Sequence, residues 1–240
     1  MSSNKIHFEN TLTFDKYGDQ TSPQVLLLED FFTTQKGSLT ELEVELSKKY
    51  SVTHVKTLRF DGVENPDKNF LEETWNQLEE IVLRADGKVI VIAEGSSSTL
   101  ALHICLSLLE KIQSLYLVAP LFLTETEDNF YSPFSAFWNW WISQPDWFLR
   151  IHLFPFILDF FYRYIKYLKV LCMQEQKVET HFLVSEDIPF ESILDFRKIK
   201  KKPEIFRLDR ISEEKMLSQK KVQKLLLWLI EKDREKILEP

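Results

Sequence analysis

Apolar positions along this chain follow two periods in turn. "QVLLLEDFF" (24–32) is a continuous apolar run suited to a strand buried on both faces. Before it, "HFENTLTFDKYG" (7–18) alternates apolar and polar residues and ends in a turn at Gly18. After it, "SLTELEVELSKKY" (38–50) sets Leu39, Leu42 and Leu46 at helical spacing behind a serine in N-cap position. "VKTLRFDG" (55–62) is predicted as a strand, and "NFLEETWNQLEEIVLRADG" (69–87) as a helix with an Asn cap and a terminal glycine. Lys88–Ala93 and Ser114–Pro120 read as two further buried strands with an amphipathic helix between them. "ETHFLVSED" (179–187) and "PEIFRLD" (203–209) add two strands, and a helix from about Glu213 to Lys236 carries Val222, Leu225, Leu226 and Leu229 on one stripe. Alternating strands and helices imply an α/β fold, a mainly parallel sheet flanked by helices.

One segment departs from that alternation. Between about Thr124 and Cys172 the chain is helical in pattern and dense in Trp, Phe and Tyr, and Pro145 and Pro155 divide it into short helices. Lying between two strands, 124–172 is predicted as a helical, aromatic-rich cap inserted in a single domain spanning 1–240. Its apolar underside suits a small hydrophobic or acyl ligand. Its basic and aromatic residues, Arg163, Lys166 and Lys169 beside Phe160, Phe161, Tyr164 and Tyr167, suit a membrane surface or a protein partner. Packing of cap on core, with a solvated basic face, accounts for the same pattern. Trp138, Trp140, Trp141 and His152 are the candidate ligand or interface residues.

Composition narrows the field. A chain of 240 residues, 44% hydrophobic and 28% charged, is an ordinary globular sequence. The net charge of −7 argues against nucleic-acid binding. Five glycines leave little room for a phosphate-cradling loop, and no cofactor or metal motif is present. Cys105 and Cys172 have no CxxC partner and read as reduced, packed thiols. The start of the chain lacks the apolar core of a signal peptide. The longest apolar candidate, Trp147–Leu171, is broken by Arg150, Asp159, Arg163, Lys166 and Lys169. These features predict a cytoplasmic protein.

The chemistry concentrates in "GSSST", Gly95 to Thr99, set between an apolar strand and a helix. The layout resembles the α/β-hydrolase superfamily over nearly the whole chain, with Gly95-Ser96-Ser97-Ser98-Thr99 similar to the G-x-S-x-G elbow of that family. The resemblance implies Ser97 as nucleophile and Asp187, just ahead of Pro189, as the acid of a triad; Glu186 is the alternative acid. It places an oxyanion pocket at the backbone of Phe31 and Ser98.

Several positions differ from the family pattern. Thr99 stands where the second glycine belongs. The His-Gly pair after the family's early strand is Glu29-Asp30 here, either a repurposed acidic site pairing with Arg210 or a local backbone cap. The five histidines are His7, His54, His103, His152 and His181, so the region after the last strand, near Arg210 to Ser212, has none. Arginine stays protonated and cannot accept the serine proton. Two functions remain open. One is a degenerate, non-catalytic member that binds through its cap. The other is an esterase, lipase or thioesterase-like serine hydrolase with an unorthodox base such as His152.

Overall fold

A computed structural model of the chain describes residues 12, 14–30, 40–56, 68–120, 159, 162–163, 166–167, 170, 178–186, 204–209, 211 and 216–238. Seven strands form one sheet: β1 (Phe14–Tyr17), β2 (Gln24–Leu28), β3 (Ser51–Val55), β4 (Val89–Glu94), β5 (Ile112–Val118), β6 (Glu179–Ser185) and β7 (Glu204–Leu208). Their order is β1-β3-β2-β4-β5-β6-β7, with every pairing parallel except that of β1 on β3. The helices are α1 (Thr40–Ser47), α2 (Lys68–Leu83), α3 (Ser98–Ser107) and α4 (Lys220–Leu238).

Strand alternation divides the core into two layers. Leu26, Leu28, Val91, Ala93, Leu115 and Leu117 pack toward α2 and α3. Their neighbours Val25, Leu27, Ile90, Ile92 and Tyr116 pack on the opposite face, where α1 and α4 lie. Because both faces are covered, the central strands carry apolar residues at nearly every position rather than at every second one.

Two details differ from the expectation. The third strand is Ser51–Val55, earlier than 55–62; its β-branched residues Val52, Thr53 and Val55 are all buried there. The last helix begins at Lys220, after a short 3-10 turn over Met216–Ser218.

Most of the segment expected as a cap lies outside the described residues. Near its end, Asp159, Tyr162, Arg163, Lys166, Tyr167 and Val170 are helical. Arg163 pairs with Asp159 at 2.8 Å and sets its guanidinium 4.8 Å from the centre of the Trp75 ring. Tyr167 meets Trp75 edge-on at 6.5 Å and His103 at 5.3 Å. This stretch therefore rests on α2 and α3, on the flank of the sheet.

From β2 the chain passes through α1 to β3 on one side, then returns through α2 to β4 on the other. The sheet thus reverses its winding between β2 and β4, with α1 and α3 on opposite faces. Such a switch point opens a crevice at the carboxyl ends of its two strands, the usual ligand position in open α/β sheets.

Candidate active site at the β2–β4 switch point

β4 ends at Glu94, and the next residue, Gly95, adopts φ +57. This left-handed residue turns the strand into a 3-10 turn over Gly95–Ser97 that runs on into α3. Ser97, two residues later, is already helical, at φ −64 and ψ −13. Its side chain is fully buried, and its Oγ lies 2.7 Å from the Glu94 carbonyl and 3.0 Å from that of Leu28. A hydroxyl has one hydrogen, shared here between two backbone acceptors. The bond joins the ends of β2 and β4; it does not present an oxygen to a ligand. Among the described residues no imidazole reaches Ser97. Ser98 and Thr99 are buried as well, their hydroxyls without partners among the described residues.

Gly95 faces the end of β2. A Cβ built on it would stand 2.6 Å from Asp30 Cγ and 2.7 Å from Asp30 Oδ2. The Asp30 carboxylate thus fills the volume into which any side chain at position 95 would project.

Two further carboxylates frame this corner. Glu94 is buried and accepts the Leu217 backbone N–H at 2.6 Å, which ties the end of β4 to the turn ahead of α4. Burial raises its pKa to about 7; the Leu217 N–H opposes the rise, while the Asp30 and Glu29 charges add to it. Glu29 is drawn the other way, to His54 on β3: its Oε1 is 3.1 Å from His54 Nε2, and Glu43 of α1 holds Nδ1. Burial of His54 disfavours the imidazolium, but the two carboxylates outweigh it and raise the pKa to about 9. A protonated ring with both nitrogens engaged is no proton acceptor.

The other described histidines are also occupied. His103 stacks on Trp75 at 4.6 Å and lies 3.2 Å from Glu79. His181 is in β6 beneath α4, 2.6 Å from Asp233. Asp187, Phe31, Trp138, Trp140, Trp141 and His152 lie outside the described residues, as do Arg210 and Ser212. Cys105 is buried, and burial pushes its thiol up to about 12, so it is a packing group. Among the described residues no three His, Cys, Asp or Glu side chains form a metal-ligand set. None of the described helices is long and apolar enough to cross a membrane.

No family model and no curated protein sequence matches this chain. Solved structures do. A metagenomic α/β hydrolase, MGS-MChE2, from lagoon sediments of Mar Chica, Morocco, superposes with a TM-score of 0.64 over 96% of this chain and 99% of its own, at 16% identity. The chain has the α/β-hydrolase fold. A thioesterase domain from the curacin biosynthetic pathway matches at TM-score 0.60 and 13% identity, over 95% of this chain and 99% of that one. Naproxen esterase (carboxylesterase NP) from Bacillus subtilis matches at 0.58 and 14%, over 95% and 91%. Within the α/β-hydrolase fold the strained residue between strand and helix is the one that carries the nucleophile. Here that residue is a glycine, and the small residues two positions to either side are Ala93 and Ser97.

The sequence reading missed Glu94, Gly95 and His54. The signal for the first two was strand length: a run of buried residues from Val89 ends at Glu94, so the turn begins at Gly95. Nothing in the sequence announced that Asp30 would fold over it.

Proposed function

We propose that this α/β-hydrolase-fold protein has lost serine-hydrolase turnover and acts by binding, taking a hydrophobic or acyl-bearing ligand beneath the aromatic segment 124–172. One observation carries the reading: the residue at the strained turn is Gly95, and the Asp30 carboxylate occupies its side-chain space. With Ala93-Glu94-Gly95-Ser96-Ser97 as the elbow, the nucleophile position has no nucleophilic atom. Ser97 becomes the small flanking residue that lets helix and strand approach. The Asp30 and Glu29 charges that act on Glu94 at this corner also oppose a developing oxyanion. The ligand class rests on the aromatic content of 124–172 and on the esterase and thioesterase names of the structural neighbours. The packed thiol of Cys105 suits a cytoplasmic setting.

The test is fluorophosphonate labelling of the wild type and of Ser97→Ala. A protein without turnover leaves both unlabelled; strong labelling that disappears in Ser97→Ala restores the serine hydrolase and overturns the proposal. The binding half is tested separately with a fluorescent fatty acid. Saturable uptake that weakens at least about tenfold when Trp138, Trp140 and Trp141 become serine supports the ligand class. Equal or absent uptake in both proteins removes it.

A further inference from the structure

A second concave site lies at the other end of the sheet, about 20 Å from Gly95 by the rise of the seven residues that separate it from Lys88. We propose that this groove, at the amino ends of β2, β4 and β5, binds a small organic anion bearing carboxylate or phosphate groups. Its volume is about 510 Å³, within the range of small-molecule sites. The end of α2 and the strand starts around Gln24, Ser51, Lys88 and Gln113 form its walls. Phe14 and Ile81 supply apolar floor.

The charge balance there points to an anion. Of the five charged side chains lining the groove, Glu80 and Arg84 neutralise one another in an ion pair. Lys16 and Lys88 remain against Asp86, and among the described residues neither lysine is in an ion pair. A local excess of cation is therefore present on a chain whose net charge is −7. The helix end does not undo it. At the C-terminus of α2 the Glu80 and Val82 carbonyls accept the Arg84 and Ala85 N–H groups, and Lys111 Nζ takes the Ala85 carbonyl just beyond at 3.0 Å. Gln20 and Gln113 add amide donors with no partner among the described residues. Long flexible cations, amides that donate and accept, and a small apolar floor suit a compact polyanion. A neutral lipid or an extended chain finds little here to recognise. The inference is independent of the reading of the elbow.

The experiment is a titration of the full chain with citrate and, separately, with inorganic phosphate at constant ionic strength, followed by amide chemical shifts. Saturable shifts clustered on Gln24, Lys88 and Gln113, with a Kd below about 1 mM, are expected for at least one anion, and the tighter of the two identifies carboxylate or phosphate as the preferred group. Lys16→Gln combined with Lys88→Gln weakens that binding at least about tenfold, while Asp86→Asn tightens it. Asp86 and Lys88 are exposed, and Lys16 is half-buried with its ammonium 6.0 Å from the centre of the Phe14 ring, so each variant should stay folded, which a melting curve checks. Shifts that fail to saturate for both anions overturn the site. So does an affinity that is the same in the lysine double variant and the wild type.

Discussion

Gly95 meets two requirements that other residue types do not meet together: φ of +57, and a neighbouring carboxylate 2.6 Å from where a Cβ would stand. Left-handed backbone costs an alanine about 1 kcal/mol relative to glycine, and a forced overlap adds about 1–3 kcal/mol. Gly95→Ala should therefore destabilise the protein by about 2–4 kcal/mol in urea unfolding. The overlap belongs to Asp30 alone, so in the Asp30→Gly background the same substitution should cost at least about 1 kcal/mol less. Additive costs would show that Asp30 does not occupy the apex. The serine motif was legible in the sequence, but its register was not. Two pentapeptides overlap here: the one centred on Gly95 has small residues at both ends, and the one centred on Ser97 runs from Gly95 to Thr99. Only the backbone conformation distinguishes a helical serine from a left-handed glycine.

The elements were legible wherever burial on both faces wrote a long apolar run, as in β2, β4 and β5. They were harder to read in β3, one strand in from the edge, which is five residues long and includes a histidine. That histidine is held by ion pairs with two other elements, which no local pattern records. The same holds on the far side of the sheet, where polar groups join β5, β6 and α4. Tyr116 and His181 stack at 4.9 Å, and both donate to Asp233 Oδ2 at 2.6 Å. All three side chains are buried. Replacing Asp233 with alanine leaves a phenol and an imidazole without their acceptor, so the loss should be about 3 kcal/mol or more. Asp233→Asn keeps one acceptor and should recover part of it. If urea midpoints for Asp233→Ala match the wild type, α4 is held by its apolar stripe alone.

At the scale of the whole molecule, the buried charges set a direction for stability against pH. Glu94 has its carboxyl raised from 4.5 to about 7 by burial and by neighbouring carboxylates, so the native state keeps a proton that the unfolded chain has released over that interval. Its contribution is complete below pH 4.5 and lost as pH rises through 7. His54 is raised from 6.5 to about 9 because Glu29 and Glu43 outweigh its burial, so its contribution is complete below 6.5 and lost as pH rises through 9. Asp15 runs the opposite way. Lys56 and Tyr17 lower its pKa against the effect of burial, so its contribution fades as pH falls below the ordinary aspartate range. Together the two raised groups make stability decline from about pH 5 toward 9, by up to about 3 kcal/mol for each at 1.36 kcal/mol per pH unit. Urea midpoints measured between pH 4.5 and 9.5 check it. Glu94→Gln should flatten the decline between 4.5 and 7 and leave the decline above 7 intact. His54→Gln should remove the upper part and leave the lower. Stability that rises from pH 5 to 8 in the wild type would mean that Glu94 is ionised in its buried corner.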